Sequence, residues 1–136
     1  MKFFAILCLF FLLSTCKPLP PKVCPMATAP NLIYAAKNSS DVAQSAKSRE
    51  EKMTLTKQGI SWANQCVLLF SKEPGCYYYR ALNTFLYDQA LGLYDQKGAK
   101  QILSDCQKVI QLDEHYAENG ALHLLETEKK LTKKRE

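Results

Sequence analysis

Histidine is scarce in this chain: His115 and His123 are the two among 136 residues. They stand eight positions apart. On one helix that is about two turns, so they can approach the same side. No cysteine or carboxylate joins them at a metal-ligand spacing. A glycine-rich phosphate loop, a nucleophile elbow and an H-E-x-x-H pair are all missing. The sequence therefore points to no catalytic residue, no metal and no cofactor. Strand-type alternation bounded by turn residues is also missing, which leaves an all-α chain. The net charge of +5 is modest. Much of it lies in the tail, Lys129 to Arg135, where no aromatic residue is interleaved, so nucleic acid is not an expected partner. Positive charge at that place suits the C-terminal end of a helix dipole; attraction to anionic lipid is the other reading.

The first sixteen residues, MKFFAILCLFFLLSTC, have the layout of a secretory signal. Lys2 precedes an apolar run of eleven residues, Phe3 to Leu13. Such a run makes roughly 17 Å of helix, against the ~20 residues that span a bilayer core. Leu13-Ser14-Thr15-Cys16 resembles a bacterial lipobox, with Thr15 in a place where Gly, Ala or Ser is usual. Cys16 is the expected lipidation site, and the lipid would anchor the protein to a membrane. The alternative is an ordinary secretory cut with Cys16 a plain thiol. The expected organisation is a signal peptide over 1–15, a Pro-rich extended linker over 16–40, a helical domain over 41–131 and a basic tail over 132–136. Five of the six prolines, Pro18 to Pro30, mark the linker. The expected location is the periplasm or cell envelope.

Cys8 falls in the leader, which leaves Cys24, Cys66, Cys76 and Cys106 for an oxidising compartment. Cys66 lies near the end of one predicted helix and Cys76 opens the next. Ser71-Lys72-Glu73-Pro74-Gly75 turns between them, so antiparallel packing brings the two cysteines to bridging distance. Cys106 lies on an apolar helix stripe. It is either a small core residue or a partner for Cys24.

Four helices are predicted. The first covers about 41–70, with N-cap oxygens from Ser39, Ser40 and Asp41 and an apolar face of Ile60, Ala63, Val67 and Phe70. The second covers about 76–94 and has a wide apolar face, which makes it central. The third covers about 99–112, with Ile102, Leu103, Cys106, Val109 and Ile110 on one side and Lys100, Asp105, Lys108 and Gln111 as a polar back. The fourth starts near Tyr116 and decays into the tail. In the run Tyr77-Tyr78-Tyr79-Arg80 the three rings point 100° apart and cannot all face one core. Tyr77 is the ring expected on a groove wall, as a contact for a partner or an apolar ligand, and Arg80 is expected to hold a carboxylate beside it.

The stretch from Ile102 to Glu118 resembles the join between two tetratricopeptide repeats: an aliphatic stripe, a stop at Asp113, then Tyr116-Ala117 opening the next helix. From Tyr78 to Ala117 is 39 positions. A plain repeat takes ~34, so the unit is extended. A narrower resemblance rests on Cys66, Pro74-Gly75-Cys76-Tyr77-Tyr78-Tyr79-Arg80-Ala81, Lys97-Gly98, Leu112-Asp113-Glu114-His115-Tyr116 and Gly120-Ala121. In order and spacing these are similar to the T component associated with TRAP transporters, small helical periplasmic lipoproteins. The resemblance implies paired antiparallel helices and non-catalytic binding of a protein partner or a small organic or apolar ligand. Repeats of this kind need about three copies to bury their faces. Fewer than two complete units are visible, which implies self-association or docking onto another subunit. The competing reading is a free secreted helical effector or inhibitor stapled by disulfides.

Overall fold

The computed structural model describes residues 27–92 and 95–133. Five helices follow one another: α1 (Ala29–Ser45), α2 (Arg49–Leu69), α3 (Pro74–Leu91), α4 (Gln96–Leu112) and α5 (Tyr116–Lys133). Among the described residues there is no strand, in agreement with the helical periodicity, and no helix is long and apolar enough to cross a membrane. The leader, Cys16, Cys24 and positions 134–136 lie outside the described residues. Each helix packs on the next, and α3 touches all four others.

The extended linker expected over 16–40 is corrected from Ala29 onward, because α1 starts there. Pro30 is not a linker residue but the opening of a helix, where its missing N–H costs nothing. Thr28 supplies the N-cap, its hydroxyl accepting from the Asn31 amide at 3.4 Å. Ser39 and Ser40 are consequently interior, not caps. Both are buried, with hydroxyls turned back onto the carbonyls of Ala35 and Lys37. The single helix expected over 41–70 is likewise two helices. The chain turns extended at Ala46, and Ser48 caps α2 by accepting from the Glu51 amide at 3.1 Å. Glu50 and Glu51 in that first turn suit the dipole.

The core has two halves of different character. Between α1, α2 and α3 it is built from small residues. Leu32, Ala36, Ser39, Ser40 and Ala43 form the buried stripe of α1; Thr56, Gly59, Ala63 and Cys66 form that of α2. Small side chains let the helix axes approach closely, so one buried amide of α3 bonds α1 while lying against α2. Asn83 of α3 is fully buried and donates through Nδ2 to the carbonyls of Ala36 at 3.0 Å and Tyr79 at 2.8 Å. A Cβ on Gly59 would stand 2.2 Å from Asn83 Oδ1, so that glycine is required by contact. Between α3, α4 and α5 the core is larger-grained: Phe85, Leu86, Ile102, Cys106, Val109 and Leu124. Each fully buried Ile or Val there contributes about 1.5–3 kcal/mol.

The hairpin of α2 and α3 is closed at both ends. Cys66 Sγ and Cys76 Sγ are bonded at 2.04 Å beside the tight turn, the pairing read from the sequence. At the open end Arg49 donates to the Leu91 carbonyl, where α3 stops at left-handed Gly92 (φ 70°).

The entry to α5 departs from the repeat-like expectation. Ala117, Glu118 and Asn119 have φ of 51°, 53° and 63°, a left-handed turn, before right-handed helix resumes. Three non-glycine residues in that region carry real strain. The turn lets Tyr116 reach back toward Gly75 and Ile33, while Gly120 takes the Tyr78 ring against its backbone. It also breaks the register between His115 and His123. Those two do not share a face of one regular helix: His115 Nδ1 pairs with Asn119 Oδ1 at 3.1 Å, and His123 stands exposed farther along.

Candidate functional site

The helices α2 and α4 both lie against α3 without touching one another, and Arg80 of α3 lies between them. Tyr77, Arg80, Thr84 and Tyr87 recur at helical spacing and so share one face of α3. The Arg80 side chain bonds both neighbours. It donates through Nε and Nη2 to the two carboxylate oxygens of Asp105 on α4, at 2.8 and 2.6 Å, and through Nη1 to Asn64 Oδ1 on α2, at 3.2 Å. Gln101 Nε2 adds a further bond to Asp105 at 3.0 Å. Asp105 is 1% exposed. It therefore does not belong to the polar back of α4, as the periodicity had placed it. A carboxylate at that depth persists because a fork of guanidinium donors and an amide satisfy it.

Arg80 thus holds a carboxylate, and that carboxylate comes from within the chain. Its plane also lies 5.6 Å over the Tyr77 ring. Tyr77 is half-buried, packs against the core on both sides and donates its hydroxyl to the Ser71 carbonyl at 3.0 Å. Of the two residues singled out from the sequence, Arg80 ties α3 to α4 and α2, and Tyr77 bonds the turn beside the disulfide.

What lies open runs along α2. A cavity of about 430 Å³ is lined by Lys57, Ile60, Ser61, Asn64, Gln65 and Leu68. Their spacing of three and four is one stripe of one helix, about 16 Å long. Leu68 is 76% exposed, the most exposed of the large apolar side chains on α2. At the other end Lys57 Nζ stands 5.4 Å over the Tyr87 ring. Asn64 belongs both to this lining and to the Arg80 network. Sequence reasoning placed Ile60 in the core and passed over Leu68. The signal that could have found them was the spacing of Ile60 and Leu68, eight residues apart on an otherwise polar face of α2.

On the opposite side of α3 a second aromatic group faces α1 and α5. Tyr78 meets Tyr79 at 5.0 Å and Tyr116 at 5.7 Å between ring centroids, both edge-on. Burial pushes the Tyr78 and Tyr79 hydroxyls above their usual range and takes Tyr116 up to about 12, so all three stay neutral phenols at neutral pH. Cys106 is a free, buried thiol, the core alternative of the two readings. Its titration is pushed up to about 12, first by burial and then by Asp105 and Glu128. Such a thiol is not a nucleophile. Among the described residues no group of three or more His, Cys, Asp or Glu is placed to hold a metal.

The chain matches no protein-family model, no curated protein and no solved structure.

Proposed function

We propose that this is an exported, non-catalytic recognition protein that holds a protein partner on the open face of α2. The carrying observation is the open stripe of α2 from Lys57 to Leu68, left uncovered beside the Arg80–Asp105 ion pair. A small organic ligand suits this surface less well than a segment of protein. Drug-sized ligands are held by burying 70–90% of their surface, and a stripe ending at a mostly exposed Leu68 does not enclose one. Lipid attachment at Cys16 would hold the domain at a membrane surface, and association with a TRAP-type transporter is the form of the proposal that the sequence resemblance favours. The Cys66–Cys76 bond supports residence in an oxidising compartment. It serves equally a free secreted effector or inhibitor, which is the second reading. Mass spectrometry of the mature N-terminus separates the two: acylated Cys16 for the anchored protein, an unmodified N-terminus elsewhere for the secreted one.

The binding claim is tested with a photo-crosslinking amino acid at position 68, and as control at Val42 on α1, in cells exporting the full chain. A discrete adduct from position 68 and none from position 42 is expected; an adduct with a second copy of the chain is the self-association form of the same reading. No adduct at 68, or the same adducts from both positions, overturns it.

A further inference from the structure

We propose that two copies of this chain pair by exchanging α5, each placing its Ala121, Leu124 and Leu131 on the α3 and α4 of the other. The corner before that helix carries the inference. Ala117, Glu118 and Asn119 hold φ of 51°, 53° and 63°. None is glycine, and alanine and glutamate are among the better formers of right-handed helix. Local preference and fold disagree in this way at no other described non-glycine residue. The corner is also confined. Before it, the Tyr116 ring packs on Tyr78 at 5.7 Å, and the Tyr116 amide donates to the Asp113 carbonyl at 3.2 Å. After it, Gly120 takes the Tyr78 ring against its backbone. Ala117 and Glu118 are exposed, so their φ and ψ can change without loss of packing. The side-chain bond of His115 Nδ1 with Asn119 Oδ1 is open to solvent like the corner itself.

The fold itself fixes what takes the place of a departing α5. With that helix away, Phe85 and Leu86 of α3 and Ile102, Cys106 and Val109 of α4 lose their cover. The surface that fits them is the stripe of Ala121, Leu124, Leu125 and Leu131, and a second copy carries the same stripe. Exchange therefore restores the contacts of the closed chain. The rest of the molecule holds without α5, whose backbone meets α4 and α3 but neither α1 nor α2, while the Cys66–Cys76 bond fastens α2 to α3. What differs between the two forms is the corner. In the closed chain α5 reaches its own α4 through left-handed residues. In the exchanged pair it runs on to the other copy, and 117–119 take the backbone they prefer. The closed form bears the strain and the paired form bears the entropy of association, so concentration decides between them.

The full mature chain is followed by gel filtration with light scattering from about 1 µM to about 1 mM, where weak pairing is read. A dimer fraction that rises with concentration is expected. An equal mixture of carbon-13-labelled and unlabelled chains identifies its form. Exchange gives nuclear Overhauser contacts between chains, from the methyls of Ala121 or Leu124 to those of Ile102 or Val109. Two variants act on the corner. Glu118→Gly accepts the left-handed backbone and favours the closed chain; Glu118→Val resists it and favours exchange. Both lose the same carboxylate, so the difference between them reports the backbone. Relief of one residue is worth about fivefold per corner, and a dimer has two corners. Glu118→Gly is therefore expected to raise the dissociation constant about 25-fold, and Glu118→Val to lower it. A dimer whose α4–α5 contacts all lie within one chain overturns the exchange, as does a monomer in all three proteins at the highest concentration. Equal dissociation constants for the two variants overturn the corner as its cause.

Discussion

Removing either member of the Arg80–Asp105 pair will destabilise the domain, and the two removals will not be equal. Arg80 keeps 17% of its side chain in solvent and Asp105 keeps 2%. In Asp105→Ala the guanidinium retains Asn64 Oδ1 and water, so the cost is set near 2 kcal/mol. In Arg80→Leu the carboxylate stays buried with the Gln101 amide as its remaining donor among the described residues, at 3.0 Å. That places the cost at about 3–5 kcal/mol, the range for an uncompensated buried charge. The double variant Arg80→Leu/Asp105→Leu removes both charges from the same space and is expected within about 1 kcal/mol of the parent. Urea titration followed by far-ultraviolet circular dichroism measures all three, and melting shifts of at least ~4 °C per kcal/mol give a second readout. Single-variant losses below ~1 kcal/mol would mean a solvated surface pair and would refute the burial argument. A double variant as unstable as Arg80→Leu would show that shape, and not charge, is what the pair supplies.

Three further outcomes are expected. Glu118→Gly relieves a left-handed residue and should raise stability by about 1 kcal/mol, whereas in a right-handed helix it would lower it by as much; the sign of the shift in urea midpoint decides. Gly59→Ala drives a methyl into the buried Asn83 amide and should cost about 2–3 kcal/mol by the same titration, with little effect expected if α1, α2 and α3 are less closely packed than described. Cys106 and Tyr116 both titrate near 12 in the folded chain, above their ordinary 9.0 and 10.0, so the unfolded chain loses those protons first on the alkaline side. Their contribution is complete below about pH 9 and declines as pH rises toward 12. Stability measured across that range should fall, and less steeply in Cys106→Ala; an equal slope in the two proteins would refute the thiol's share.

The large-grained half of the molecule was legible from sequence because Ile102, Cys106 and Val109 keep a helical period with strong apolar contrast. The small-grained half was not. The buried stripe of α1 is mostly alanine and serine, which composition reads as solvent-facing, and Pro30 at its start reads as more linker. Cys66 and Cys76 were paired from the turn between them, a purely local inference. Asp105 was misplaced because its neutralising partner lies 25 residues away and a charge in an apolar stripe has no local explanation. Arg80 was expected to hold a carboxylate and does so; that the carboxylate belongs to its own chain was not legible. The left-handed entry to α5 had no signal, since Ala117-Glu118-Asn119 contains no glycine and would ordinarily continue a right-handed turn.

The near-sequential packing order also bears on how the molecule assembles. Because every helix leans on the one made just before it, a chain emerging N-terminus first, from a ribosome or through a secretion channel, finds each docking site already present. Oxidation of the two thiols can follow as soon as the second hairpin strand of helix has cleared the exit, with α4 and α5 still threading. The last piece to settle is the one with the awkward corner at its beginning, so a chaperone or protease inspecting newly made molecules would meet an unfinished C-terminal end far more often than an unfinished front.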